Sequence, residues 1–393
     1  MSGHLAILDN RTPFAALHMP MPDGEGGELV LVVLKASFEF SAAGVLGLAA
    51  EQTPVRMADE TRRPDWRPEE ALPGPWRDHD LALFKPEVDV LVDGLAHVPF
   101  GEQASEIPVS LRVGDVLSKT VLVTGDRRWD PRGGRNHGEQ QSWEPGRPES
   151  FSTLPLCWER AYGGTRSRVN EAGEVEVEFE TRNPVGLGHG RSLGAPVVGD
   201  PARPELPNLE YPEQRLRSPG ADVAPAGFGP VGRGWSPRLE LAGTFDLDWK
   251  DRRWPLRPRD YDPHHEQSAP ADQRIQRYRG GEEVELRNMS PAGIWLFRLP
   301  HFDVPLRCFY PDRRAAPLSV EAMAVDTIEI EPETRRITLT ARARIPVDTR
   351  RSPLRDIVLG HPTPGWIRAR QTRRRYLDFH GTGGTDMRPC YWS

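Results

Sequence analysis

Two adjacent histidines, His264 and His265, follow Asp260 and Asp262 and form the best candidate metal ligands in this 393-residue chain. A metal site needs imidazole and carboxylate groups that converge on one point. Neighbouring residues cannot share one face of a helix or strand, and no cysteine or second histidine pair stands at ligand spacing. We therefore expect polar residues at the start of a helix here, with no metal and no cofactor.

Cys157 stands directly before Trp158, a pairing found around the nucleophile of some cysteine proteases. A nucleophilic cysteine needs a base within hydrogen-bonding reach and an oxyanion site. His189 or His301 would supply that base only if folding happened to bring one of them close. The alternative, a small buried hydrophobe, fits the isolation of Cys157 in the sequence better.

Clustered acids could hydrolyse glycosides, because that reaction uses a pair of carboxyl groups. With 57 acidic residues, the chain offers many such pairs by composition alone. The alternative is a structural role, in which Glu159, Arg160 and Glu210 form buried ion pairs or bind loop amides. The acids that could form such pairs are Glu159, Glu210, Asp246, Asp248, Asp260 and Asp262.

Two glycine motifs and one basic stretch complete the candidates. Tyr162–Thr165 and Gly186–Gly190 lack the strand–loop–helix context of a phosphate-binding loop. The stretch from Arg368 to Tyr376 could contact nucleic acid, but the net charge of −6 favours a solvated face or a patch for an acidic protein partner. We expect no nucleic-acid binding.

Composition indicates a folded protein rich in turns. The 37 glycines and 40 prolines are spread among apolar runs instead of forming a low-complexity segment. Three cysteines far apart in sequence fit a reducing compartment. The N-terminus has no secretory signal pattern, and no apolar run approaches the length of a membrane span. We expect a cytoplasmic protein without membrane insertion.

Short apolar and alternating runs predict the strands. The strongest is Glu28–Phe40, and Ile107–Val113 and Lys119–Thr124 form a predicted hairpin around Gly114. Arg336–Ile345 alternates apolar with Thr and Arg side chains and predicts a late strand. The fold class is therefore mainly β, with packed antiparallel sheets (sandwich-like or barrel-like), long ordered Gly/Pro-rich loops and little helix.

Other segments carry weaker patterns. Glu174–Glu180 predicts a half-buried strand with an acidic outer face, and Arg238–Trp249 predicts another strand. His265–Tyr278 is the best helix candidate, although Pro270 limits it. Residues 51–79 are interpreted as loop, and Asp126–Ser150 as an exposed, mobile loop.

The segment from Leu154 to Pro230 is long and irregular, with large rings beside Gly and Pro. A long loop inside a globular chain is usually functional, and glycine and proline make it conformationally specific. Its aromatic residues, with Trp235 just beyond, are expected to anchor the loops on the β framework. We expect the segment to be ordered and its aromatic side chains to be largely buried.

These motifs, in this order, resemble a bacterial family named only as a domain of unknown function, whose members are found with type VI secretion genes. The resemblance covers residues 10–310. The early motifs are Asn10–Phe14, Val33–Phe38, Lys85–Val90 and Gly125–Trp129. The central motifs are Pro155–Gly164, Asn183–Gly188, Leu206–Glu210, Pro225–Pro230, Gly243–Asp246 and Pro258–Asp262.

The resemblance implies a cytoplasmic adaptor or chaperone that binds a secretion effector and helps to load it on the VgrG-type spike, and it brings no catalytic residues. The hydrolytic enzyme stays open as the alternative, with a deep cleft of pKa-perturbed acids as its mark, against a broad groove or apolar patch for an adaptor. A β-rich region over residues 10–310, which could divide near 126–153, is expected to precede a β extension and a basic, Gly-rich tail over 311–393. The candidate binding or structural residues are Trp158, Glu159, Arg160, Tyr162, Gly163, Gly164, Asn183, Pro184, Gly186, Asn208, Glu210, Phe228, Asp246, Asp260 and Asp262.

Overall fold

A computed structural model describes residues 6–132, 142–169, 172–189, 205–310, 318–320, 323–347, 354–372, 374 and 391–392. Strands hold 41% of the residues and helices 9%, so the mainly β prediction is confirmed. No helix among these residues is long and apolar enough to cross a membrane.

The strands are numbered in chain order. The first thirteen are β1 (Ile7–Asn10), β2 (Ala15–Pro22), β3 (Glu28–Phe40), β4 (Leu46–Leu48), β5 (Glu60–Arg62), β6 (Gly74–Arg77), β7 (Val88–Val92), β8 (Leu95–His97), β9 (Glu106–Val113), β10 (Leu117–Thr124), β11 (Trp129–Arg132), β12 (Ser142–Pro145) and β13 (Thr153–Pro155). The next thirteen are β14 (Tyr162–Gly163), β15 (Thr165–Val169), β16 (Val175–Phe179), β17 (Leu187–Gly188), β18 (Leu209–Glu210), β19 (Arg274–Ile275), β20 (Glu283–Arg287), β21 (Ile294–Arg298), β22 (Leu306–Phe309), β23 (Leu318–Val320), β24 (Ala324–Glu331), β25 (Arg336–Val347) and β26 (Asp356–Leu359). The two α-helices are α1 (Leu247–Arg252) and α2 (Pro364–Gln371).

Three sheets form the framework. The largest has the order β19-β7-β24-β25-β3-β2, with β4 paired to β3, and only its β7–β24 pair is parallel. An antiparallel sheet of five strands has the order β18-β10-β9-β20-β21. A four-stranded sheet has the order β1-β26-β22-β23. The remaining strands pair two by two.

The central strand β3 has both faces buried. Its even-numbered side chains, including Val32 and Phe38, face the main core that the three sheets share. At the edge of this core, the rings of Phe40 and Phe297 stack at 4.5 Å between the seven-stranded and five-stranded sheets. This arrangement is the packed-sheet architecture that strand alternation predicts.

The opposite face of the seven-stranded sheet carries buried charges. The Lys35 Nζ lies 2.8 Å from an oxygen of Asp80 and 3.4 Å from an oxygen of Glu329. Arg56, from the segment that covers this face, pairs with the same two carboxylates. Segment 51–87 is thereby joined to the sheet by ion pairs as well as by apolar contacts.

The strand predicted over Arg238–Trp249 is wrong. The chain there forms a 3-10 helix, Leu239–Ala242, and then α1. Gly243, at φ 84°, separates the two because glycine adopts this left-handed conformation easily. The carboxylate of Asp246 then caps α1 by accepting a hydrogen bond from the Trp249 amide at 2.8 Å.

The helix predicted over His265–Tyr278 is also wrong. A 3-10 turn, Pro263–Glu266, begins there but does not continue. The buried Asp89 carboxylate instead accepts hydrogen bonds from the amides of Ser268 at 2.8 Å and Ala269 at 3.1 Å. A distant residue therefore takes the backbone donors that would have extended the helix.

The acidic strand is present as β16, but it is not half-buried. Val175, Val177 and Phe179 are 66%, 58% and 51% exposed. The reason is that β16 pairs only with β15, in a two-stranded hairpin, and no described element covers its apolar face.

The loop predicted over Asp126–Ser150 is only partly described. Its ends form the hairpin of β11 and β12, and Trp129 and Trp143 are buried there, so these ends are not an exposed loop. Residues 133–141 lie outside the described residues, as does most of the predicted basic, Gly-rich tail.

Candidate functional site

The ring of Trp158 lies at the centre of the central motifs. Trp158–Arg160 forms one 3-10 turn after β13, and the Trp158 residue is 5% exposed. Its indole Nε1 donates a hydrogen bond to the Pro230 carbonyl at 2.7 Å, and the Trp235 ring lies edge-on at 5.9 Å. A Cβ on Gly227 would lie 2.9–3.0 Å from three atoms of this ring, so the glycine makes room for it.

Asn183 joins the second central motif to the first. Its buried side-chain amide donates hydrogen bonds to the carbonyls of Trp158 and Tyr162, both at 2.9 Å. Gly163 has φ 144°, and a Cβ there would lie 2.1 Å from the Asn183 carbonyl oxygen. Only glycine permits this approach of the two backbones.

Gly164, Pro184 and Gly186 lie at the same contact. A Cβ on Gly164 would lie 2.6 Å from the Gly186 carbonyl oxygen, and one on Gly186 would lie 2.5 Å from that of Ala161. The Thr165 hydroxyl donates to the Pro184 carbonyl at 3.0 Å. These motif residues therefore set the backbone path.

The two acids of the central motifs, Glu159 and Glu210, are buried and contact other segments of the protein. Glu210 pairs with Arg127 and accepts a hydrogen bond from the Leu216 amide at 2.7 Å. The carboxylate of Glu159 is packed against Gly74, where a Cβ would lie 2.5 Å from it. Glu210 thus holds loop backbone in place, and Glu159 is closely packed against a second loop.

Arg160 and Asn208 lie on the wall of a polar cavity of about 830 Å³. The Arg160 guanidinium donates to Asn208 Oδ1 at 2.9 Å and to Asp126 Oδ1 at 2.8 Å, and it stacks over the Trp66 ring at 4.5 Å. The Asn208 amide donates to the Thr124 carbonyl at 2.9 Å. The cavity wall thus combines cations with acids.

The last three candidate acids lie in segment 239–266 and have local roles. Asp246 caps α1. Asp260 accepts from the Thr244 amide at 3.0 Å and hydroxyl at 2.7 Å, and these bonds lower the pKa of Asp260. Asp262 caps the next 3-10 turn and accepts from the His264 amide at 2.8 Å, a bond that lowers the pKa of Asp262.

An apolar cavity of about 500 Å³ opens where two of the central motifs, through Trp158 and Pro225, meet later loops. Its wall is built from Trp158, Arg182 and residues of the segments 211–214, 224–241 and 270–274. We call it the Trp158 pocket. Its apolar wall residues are Trp158, Ala224, Pro225, Val231, Pro237, Leu241, Pro270 and Ala271.

A buried lysine supports one wall of the Trp158 pocket. The Lys119 Nζ donates to the Gly227 carbonyl at 2.6 Å and to Asp272 at 2.9 Å, and it lies 5.4 Å from the centroid of the buried Phe228 ring. Burial lowers the pKa of Lys119 to about 8, and Asp272 opposes that shift. Tyr211 donates to the other Asp272 oxygen at 2.8 Å, and burial, then Asp272, raises the pKa of Tyr211.

Sequence reasoning missed Lys119, although a signal was present. Lys119 shares one face of β10 with Leu117, Val121 and Val123, all of which are buried. A lysine at an inward position of an alternating strand must find a partner, since an unpaired buried charge is costly. The pattern therefore marks a buried ion pair.

Cys157 lacks the properties of an activated nucleophile. Burial, then the Glu159 carboxylate, raises the pKa of the Cys157 thiol to about 12. Reactive cysteines have the opposite shift. The two histidines considered as its base have other described contacts: His189 lies beside Glu178, and His301 lies beside Gly281.

Metal and acid catalysis find little support in the described residues. No group of three or more His, Cys, Asp and Glu side chains is placed to hold a metal ion there, and the absence of a metal stays a prediction. A general acid for glycoside hydrolysis needs a raised pKa. The carboxyl groups whose pKa values are shifted are shifted downward: Asp89, Glu180, Asp260, Asp262, Glu266, Glu285 and Glu329.

Comparison with known proteins gives one assignment. No curated protein and no solved structure matched the chain. A family model described as an uncharacterized protein conserved in bacteria (DUF2169) matches residues 25–342. This range includes the residues that line the Trp158 pocket, the whole five-stranded sheet and parts of the other two large sheets. The chain belongs to this bacterial family.

Proposed function

We propose that the protein is a cytoplasmic adaptor that binds a type VI secretion effector and helps to load it on the VgrG-type spike. The ordered series of motifs that resembles the secretion-associated family motivates the proposal. The observation that carries it is the Trp158 pocket, an open apolar cavity of about 500 Å³ on a rigidly bonded scaffold. Pockets that exclude water at the centre of a protein interface are where an anchor side chain of the partner contributes most of its binding energy.

The hydrolase alternative receives less support from the same geometry. Glu210 accepts a hydrogen bond from a loop amide, and Glu159 is packed against Gly74. Asp246, Asp260 and Asp262 accept hydrogen bonds from backbone amides in a separate segment. None of these acids lines the polar cavity or the Trp158 pocket. The broad apolar pocket is the feature expected of a protein-binding module.

A deletion strain tests the adaptor function. Without this protein, the effector encoded beside its gene should be lost from secretion or become unstable, because an adaptor stabilises the folded state of its partner by mass action. The secretion tube itself should still be exported. Normal secretion of that effector would contradict the proposal.

A pull-down from cells tests the Trp158 pocket directly. Ala271 is exposed and lines the pocket, so Ala271→Trp fills the cavity without replacing a core residue. The change should reduce recovery of the effector at least tenfold. Ala42→Trp, at an exposed turn outside the pocket, is the matched control and should recover the effector normally. Failure of the unchanged protein to recover either effector or spike would refute the adaptor function.

A further inference from the structure

The charges around the Trp158 pocket specify more about its occupant than its apolar floor does. Three arginines, Arg182, Arg238 and Arg274, line it together with two acids, Glu213 and Asp272. A charged wall favours a complementary occupant only where its charges are not already satisfied by the protein. The partners of each charge therefore decide what the pocket can recognise.

Two of the arginines are satisfied within the protein. The Arg182 guanidinium donates to Glu180 at 2.7 and 2.8 Å and to Asp222 at 2.6 Å. Arg238 pairs with Asp78 and donates to two backbone carbonyls. These two side chains line the wall, but their charges are already paired within the protein and attract a ligand only weakly.

Arg274 differs from both. Its Nε donates to the Ala269 carbonyl at 2.9 Å, and its nearest carboxylate among the described residues, on Glu87, is 3.9 Å away. That separation exceeds hydrogen-bond length. The terminal nitrogens of Arg274 form no hydrogen bond with the described residues. A half-buried guanidinium in this state favours a carboxylate from outside.

Burial lowers the pKa of Arg274, and the nearby carboxylates of Asp89, Glu87 and Asp272 oppose that shift without cancelling it. Each carboxylate oxygen of Asp272 already accepts a hydrogen bond, Oδ1 from the Lys119 ammonium and Oδ2 from the Tyr211 hydroxyl. Glu213 is exposed at the rim. The pocket thus combines an apolar floor with one cation whose terminal nitrogens form no hydrogen bond with the described carboxylates.

We propose that the Trp158 pocket receives a bulky apolar side chain from an extended segment of the partner protein, with an acidic residue next to it that pairs with Arg274. This inference rests on the adaptor function and names the chemistry of the partner segment. The apolar side chain would enter between Trp158 and Pro237, and the acid would lie at the wall. Neutral or basic neighbours would leave Arg274 without its carboxylate.

Capped tetrapeptides test this chemistry on the full-length protein by saturation-transfer NMR and titration. The probes are acetyl-Gly-Trp-Glu-Gly-amide, its Trp-Lys counterpart and an Ala-Glu counterpart. The Trp-Glu peptide should bind at least fivefold more tightly than the Trp-Lys peptide, and the Ala-Glu peptide should not bind measurably. Equal affinity for the first two would overturn the role of Arg274.

Two variants and one control assign the effect. Arg274→Gln should reduce the preference for Trp-Glu to less than twofold while both Trp peptides still bind, and Ala271→Trp should abolish binding of all. Arg298→Gln, which changes a 70% exposed arginine on β21, should keep the preference of the unchanged protein. Peptide binding that survives Ala271→Trp would overturn the site.

The peptide and pull-down results separate the two proposals. If Ala271→Trp loses the peptides but still captures the effector, the pocket is not the partner site, and the adaptor function stands through another surface. If the unchanged protein binds the peptides but captures neither effector nor spike, the adaptor function fails, and the partner segment with it. Loss of the Trp-Glu preference in Arg274→Gln, together with loss of both the peptides and the effector in Ala271→Trp, supports both.

Discussion

Replacing Trp158 by alanine tests whether the central motifs are built around its ring. The Trp158 residue is 5% exposed, its Nε1 donates to the Pro230 carbonyl at 2.7 Å, and the Trp235 ring packs on its edge. Truncating a buried Trp costs about 3–5 kcal/mol through lost burial and the cavity left behind. We therefore expect Trp158→Ala to lower the free energy of unfolding by about 4 kcal/mol, as measured by urea unfolding with far-UV circular dichroism.

The matched control is Trp254→Ala. Trp254 is 67% exposed, so its removal should change the free energy of unfolding by less than about 0.5 kcal/mol. A loss below about 1 kcal/mol for Trp158→Ala would refute the reasoning, because a packed ring cannot be removed at that cost. Such a result would mean that the motif loops do not depend on the ring.

Gly227→Ala gives an independent test of the same contact. A Cβ at Gly227 would lie 2.9–3.0 Å from three Trp158 ring atoms, closer than van der Waals contact. Overpacking of this kind costs about 1–3 kcal/mol. The cost should vanish when Trp158 is already alanine, so the two changes should be strongly non-additive. Additive effects would show that Gly227 is required for another reason.

Two further predictions concern pH. Glu266 is buried; burial acts to raise its pKa, but Arg233 and Arg257 lower the pKa of Glu266 to about 2. Its stabilisation, about 3 kcal/mol, should be complete above pH 4.5 and decline as pH falls from 4.5 towards 2, so Glu266→Gln should lose stability at pH 7 and lose less at pH 3 in parallel urea titrations. Burial lowers the pKa of Lys119 to about 8, so its charge costs stability below that pH. Relative to Lys119→Met, the wild type should gain stability as pH rises from about 8 to 10.5, and a pH-independent difference would contradict the lowered pKa.

Local patterns predicted the strands whose side chains alternate within one segment. The hairpin of β9 and β10 turns at Gly114, as expected, because its register depends on the turn and on the two neighbouring strands alone. β25 follows its Thr and Arg alternation in the same way. In these elements the information that fixes the structure lies within about twenty residues.

The two wrong elements have different causes, one distant in sequence and one local. The helix predicted over His265–Tyr278 ends because Asp89 binds the amides of Ser268 and Ala269. The strand predicted over Arg238–Trp249 gives way to two short helices divided by Gly243. A single sequence does not reveal that a carboxylate about 180 positions earlier competes for backbone donors, so periodicity alone misleads there.

The candidate site shows the same division. Trp158, Asn183 and Phe228 were singled out as parts of motifs, and they pack together through contacts that link distant segments. Arg274 and Lys119 were not singled out, although both support the Trp158 pocket. Their importance depends on which carboxylates lie near each cation, and that is a property of the fold.

The polar face of the seven-stranded sheet shows a limit of sequence patterning. The pattern predicts which face of a strand packs in the main core, but it does not predict that the opposite, charged face is buried as well. Lys35, Glu329 and Arg342 alternate with apolar residues, a pattern that equally describes a strand with one face in water. In the structure Lys35 is fully buried, because segment 51–87 brings Asp80 to it. Charged pairs of this kind add little net stability compared with apolar packing, but removing one partner leaves an uncompensated charge and is costly. The covering segment is therefore fixed in one position on the sheet, and this fixed layer supports β7 and Asp89, from which the loop of the Trp158 pocket is held.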